Sequence, residues 1–207
     1  MTLSITHYRR LVDVLRWRRD VRHFRTDPIP AEVMARIEAA LDCAPSVGNS
    51  RPWRIVRVAS AAARQAVIRS FAEANERASR IYADQERVEY LALKLAGLRE
   101  APVHLAFFTD PDAAEGRGLG RQTMPETLEF STVMAIHTLW LTARALNVGV
   151  GWVSILDPEA VRAALDVPAH WRLTGYLCLG YPQANDDLPE LHRRGWQANT
   201  ASIWLDR

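Results

Sequence analysis

Residues 126–146 read ETLEFSTVMAIHTLWLTARAL, and their apolar side chains fall nearly all round a helical axis. A helix without a polar face belongs at the centre of a core, with the remaining elements built around it. Asn147 and Gly149 end it as helix C-termini commonly end. Apolar strands are predicted at Val150–Leu156 and Leu173–Leu179 downstream, and at Trp53–Val58 and Val103–Thr109 upstream. Ser4 caps a first helix with Ile5, Tyr8, Leu11, Val12 and Leu15 on one face, and Pro28 and Pro30 precede a second. A long helical region, 61–99, breaks near Asp84 and is stopped by Pro102, while Asp157-Pro158-Glu159 opens a short helix as N-cap and N1 proline. Four strands among about five helices predict an α+β fold, one sheet with helices on both faces. Residues 1–207 are expected to form a single domain. The last 25 residues, with Trp196 and Trp204, are too irregular to fold alone and are expected to dock on a partner subunit.

Composition narrows the function classes. The 207 residues are 48% hydrophobic, enough for one sizeable core, and 26 Lys plus Arg against 24 Asp plus Glu leave no general affinity for nucleic acid. Cys43 and Cys178 form no CxxC pair or disulfide framework, which fits a reducing cytoplasm. No signal peptide and no membrane-spanning run is expected. The histidines, at 7, 23, 104, 137, 170 and 192, form no HxxxH or HExxH pair, so no metal is expected, and His137 reads as a core histidine. EGRGLGRQ, residues 115–122, mimics a phosphate loop but lacks the preceding strand and a following GK[ST]; it reads as a mobile loop. No GxSxG elbow supports a hydrolase.

Two polar clusters carry chemistry. RRDVRHFR, residues 18–25, sets four arginines and His23 around Asp20. Placed at a helix end, Arg18, Arg19 and Arg22 fall within little more than one turn, where guanidiniums can converge on a dianionic phosphate; the alternative is a solvated helix end whose cations complement the macrodipole. The loop APSVGNSRP, residues 44–52, offers Ser46, Asn49, Ser50 and Arg51 along a tight backbone, suited to gripping a polar heterocycle.

Together RRDVRHF, APSVGNSRPW, NVGVGWVSILDP and LGYPQ, in that order and over nearly the whole chain, resemble the flavin-dependent nitroreductase superfamily. The resemblance implies a mostly antiparallel central sheet and a homodimer with extended termini wrapping the partner. An FMN would lie at each subunit interface and touch both subunits. Arg18, Arg19 and Arg22, with Asp20 and Val21 between them, would meet its phosphate, ribityl chain and pyrimidine edge. Ser46, Val47 and Ser50 would line it, and Arg193 or Arg194 would complete the phosphate grip. Two residues carry a narrower likeness: Asp20, where ordinary members usually have serine, and Ser154. Both resemble the branch that consumes its flavin. That implies fragmentation of reduced FMN by oxygen to 5,6-dimethylbenzimidazole, the lower ligand of vitamin B12, and erythrose 4-phosphate. A separate NAD(P)H-dependent flavin reductase would supply FMNH2, Asp20 would serve as acid and base, and Ser154 would relay a proton. An NAD(P)H-dependent nitroreductase that keeps its FMN, and a catalytically idle flavin-binding protein, stand as alternatives. Arg51 departs from the family's usual glutamine.

Overall fold

A computed structural model describes residues 2–207. The helices are α1 (Ile5–Trp17), α2 (Ala31–Ala39), α3 (Ala61–Ser79), α4 (Asp84–Ala92), α5 (Thr127–Ala145), α6 (Pro158–Ala164) and α7 (Glu190–Arg193). The strands are β1 (Trp53–Arg57), β2 (Val103–Thr109), β3 (Gly149–Val153) and β4 (Arg172–Gly180). They form one sheet in the order β1-β2-β4-β3, every pair antiparallel, with a register shift between Phe107 and Phe108.

Strand alternation divides the core in two. Leu105, Phe107, Leu177 and Leu179 point to one face, beneath α5, α2 and the 3-10 turn at Ala40–Cys43. Ala106, Phe108, Tyr176 and Cys178 point to the other, with Val67 of α3 and Val161 of α6. Helices therefore cover both faces, as the alternation of elements predicts. The α6 cap is also as expected: the Asp157 carboxylate accepts from the amides of Glu159 and Ala160, and Pro158 needs no partner at N1.

Three expectations need correction. The 61–99 region breaks at Asp84, but helix ends at Ala92, well before Pro102. Residues 93–101 are instead claimed by tertiary contacts: Leu98 and Ala101 are buried, and a side chain at Gly97 would collide with the Phe24 ring. Helix α5 buries only one stripe, including Ala135, Ile136, Leu139 and Ala143, and leaves Phe130, Val133 and Met134 exposed and His137 half-buried. Its all-round apolar character exceeds what this chain's core uses. Finally, of the two tail aromatics expected at a partner, Trp196 packs edge-on to Tyr82, centroids 5.4 Å apart, and beside Tyr90 of its own chain, whereas Trp204, 89% exposed, stays available.

Candidate functional site

The arginine stretch is extended rather than helical. Helix α1 ends at Trp17, with Arg18 as its C-cap at φ −73°, ψ 111°. The next residues are stitched along the free edge of the sheet, where β3 still has bonding groups to offer. Val21 N–H donates to the Val150 carbonyl at 3.0 Å, and Asp20 pairs with Val150 in a parallel bridge. Further on, Gln183 N–H donates to His23 O at 3.0 Å and Arg25 N–H to Tyr181 O at 2.8 Å, so the LGYPQ turn after β4 holds the other end. The close pairing needs Gly151: a β-carbon there would run into the Val21 carbonyl.

In an extended segment alternate residues share a side. Asp20 and Arg22 do so, and Arg22 Nε donates to Asp20 Oδ2 at 2.9 Å, while Trp152 N–H donates to Oδ1 at 2.9 Å. The other arm of Arg22 reaches the Lys94 carbonyl at 3.3 Å. Burial pushes the Asp20 carboxyl above the ordinary aspartate value, opposed by the Arg22 hydrogen bond, the Trp152 amide and the charges of Arg22 and Arg18. Arg18 turns aside and stacks over the Trp140 ring, 4.9 Å from its centroid. Burial there, then the charge of Arg19, lowers its guanidinium, with Asp20 pulling the other way.

A cleft of about 280 Å³ gathers Arg19, Asp20, Val21, Arg22, Arg193 and Arg194. Arg18 lines the adjoining crevice with Trp140 and Arg144. The guanidiniums are held by the C-terminal segment: Arg193 by the Asp186 carboxylate at 2.9 Å, Arg194 by the Glu190 carboxylate at 3.6 Å, and Arg19 Nε by the main-chain carbonyl of Asp187 at 3.2 Å. Reading the sequence missed these acids. The run NDDLPE, placed just before HRR, was the available signal. Several guanidiniums around one concave space suit the charge and bidentate acceptors of a phosphate monoester.

The other expected residues lie elsewhere. Val47 N–H donates to Ser131 Oγ at 3.0 Å, near the start of α5, whereas Arg18 meets Trp140 nine residues later. At the rise of a helix the two points are separated by about 13 Å. Ser46 Oγ accepts from Arg51 N–H at 3.1 Å, and Ser50 Oγ is buried without a hydrogen-bond partner. Arg51 reaches back to Asp42, 3.0 Å to its carboxylate and 2.8 Å to its carbonyl, and so fastens the loop to the preceding turn. Asn49 and Arg51 both hold positive φ, a strain that a loop kept for binding can carry. Ser154 is exposed just past β3, two residues beyond the Trp152 amide that holds Asp20. Among the described residues no cluster of three His, Cys, Asp or Glu could hold a metal ion.

The family model described as "Nitroreductase family" matches residues 15–181, and the chain belongs to that family. Among its relatives are enzymes of one name. It is 52% identical over 207 residues, all of both chains, to the 5,6-dimethylbenzimidazole synthase of Rhodobacter capsulatus. It is 55% identical over 185 residues, 89% of this chain and 88% of the other, to the 5,6-dimethylbenzimidazole synthase of Rhodospirillum rubrum. In fold it matches an iodotyrosine deiodinase solved with FMN and 3-iodo-L-tyrosine, with a TM-score of 0.73 and 20% identity over 95% of this chain and 97% of that one.

Proposed function

We propose that the protein is a 5,6-dimethylbenzimidazole synthase, fragmenting reduced FMN with oxygen. The observation that carries this reading is the Asp20 carboxylate set into the wall of the arginine cleft, in a chain 52% identical end to end to an enzyme of that name. The cleft arginines suit the FMN phosphate, and FMN is the substrate, bound reduced and consumed.

What these residues supply is orientation and proton transfer. Arg19 and Arg193 fix the phosphate end, and Arg22 holds the ribityl chain and pyrimidine edge. Asp20, locked by Arg22 and the Trp152 amide, stands beside that anchor as the acid/base group. The opposing effects on its carboxyl suit that role: burial favours the neutral acid, while two hydrogen bonds keep the carboxylate accessible. Ser154 offers a hydroxyl that can both donate and accept. Oxygen is the co-substrate, and a separate NAD(P)H-dependent flavin reductase delivers FMNH2.

The active form is a homodimer. Helix α1 buries none of its residues, leaving Tyr8, Leu11 and Leu15 exposed, and Phe130, Val133 and Met134 of α5 are uncovered as well. Apolar stripes of this extent favour a second copy. A shared site would also bring the Ser46–Ser50 loop of one subunit toward the arginine cleft of the other. The two free thiols suit a reducing cytoplasm, and among the described residues no helix is long and apolar enough to cross a membrane.

The test is to load the purified protein anaerobically with reduced FMN, admit air, and seek 5,6-dimethylbenzimidazole by chromatography with mass detection. The product should appear as flavin is lost. Intact, oxidised FMN would overturn the reading, and NAD(P)H consumption without added reductase would point to a nitroreductase instead.

A further inference from the structure

The glycine-rich segment EGRGLG, residues 115–120, expected as a mobile loop, is packed against the protein. Its 3-10 turn, Glu115–Gly118, lies against a second such turn, Val47–Asn49. The approach is backbone to backbone. A β-carbon on Gly116 would sit 2.7 Å from the Gly48 carbonyl oxygen and 3.0 Å from Ser50 Cβ. One on Gly120 would sit 2.8 Å from Val47 Cγ2. From the other side, Ser131 of α5 accepts the Val47 amide and is itself bonded to the Thr127 carbonyl at 2.6 Å. The 46–50 loop is thus gripped between helix α5 and a glycine surface. Inside that grip the Ser50 hydroxyl is buried and makes no hydrogen bond to the protein.

We propose that residues 115–120 are a clamp that holds the 46–50 loop in its flavin-binding shape, with Gly116 and Gly120 as positioning residues. This rests on the reading that the 46–50 loop lines the flavin. The clamp acts on the ring end of the ligand and leaves the phosphate cleft, built from other elements, untouched. Gly118 provides an internal control: it shares the positive φ of Gly116, +74° against +76°, but its β-carbon would meet only side-chain ends at 3.4 Å and beyond.

The experiment titrates the full-length protein with FMN and with riboflavin, following flavin fluorescence, for Gly116→Ala, Gly120→Ala and Gly118→Ala beside the parent. Thermal unfolding monitors the fold. Gly116→Ala should weaken both flavins by about tenfold or more relative to Gly118→Ala, by the same factor for each, because the lost contacts lie away from the phosphate. Should Gly116→Ala prove unfolded, Gly120→Ala, whose added methyl meets only a side chain, carries the same expectation. Binding within about twofold of Gly118→Ala in the folded variants would refute the clamp, as would a loss confined to FMN. A parent that binds neither flavin would overturn the flavin reading itself, a distinguishable failure.

Discussion

Acidification perturbs a buried pair that lies away from the arginine cleft. His104 on β2 is 1% exposed, its Nδ1 lies 2.9 Å from the Tyr176 hydroxyl of β4, and its Nε2 has no hydrogen-bond partner. Burial, reinforced by the nearby Arg64 charge and only partly offset by the Ala101 backbone, lowers its pKa from 6.5 to about 4. The folded state therefore prefers neutral imidazole, and between these two values the unfolded chain binds more protons. The stabilisation is complete above pH 6.5 and is lost as pH falls towards about 4. At about 1.4 kcal/mol per unit the shift corresponds to roughly 3 kcal/mol, a large part of a typical stability of about 5–15 kcal/mol. Asp20, with its raised carboxyl, works in the opposite sense over its own range, so the useful quantity is the difference between parent and variant. Urea unfolding across this range for the parent and His104→Gln should show the parent losing about 3 kcal/mol more than the variant. Tyr176→Phe, which leaves the ring nitrogen without its hydroxyl partner, should cost about 1–3 kcal/mol at neutral pH. Parallel pH profiles for parent and His104→Gln would refute the argument.

The remaining predictions concern the cleft and its support. Asp20→Asn should keep the parent's flavin binding while product yield drops by about a hundredfold or more, measured by the same product assay; undiminished yield would remove Asp20 from the chemistry. Ser154→Gly should likewise bind flavin and lose product, with the thermal midpoint unchanged because the residue is exposed. Gly151→Ala should cost about 2 kcal/mol or more in urea unfolding and weaken FMN, since the new methyl meets the Val21 carbonyl and pries the arginine stretch from β3. Asp157→Ala should cost about 1 kcal/mol through loss of the α6 cap and leave product formation unchanged.

Features whose causes are local were legible in the sequence. The extent of α5, the Asp157-Pro158 cap and the four apolar strands depend on side chains within a few residues of one another, and each stands within a few residues of where it was expected. The arginine stretch and the 44–52 loop were legible as contiguous motifs, and the structure sets Arg19 through Arg22 along a cleft that the loop does not line. The conformation of the stretch was not legible. Arg19–Arg22 leave the helical path because the free edge of β3, more than a hundred residues away, offers backbone bonds that only the assembled sheet provides. The hold of the Asp187 carbonyl on Arg19, the pairing of His104 with Tyr176, and the seating of Gly116 on Gly48 are likewise contacts between distant parts of the chain. Short-range pattern specifies which element forms; which elements meet is set by burial and backbone pairing, and only the packed structure contains those terms.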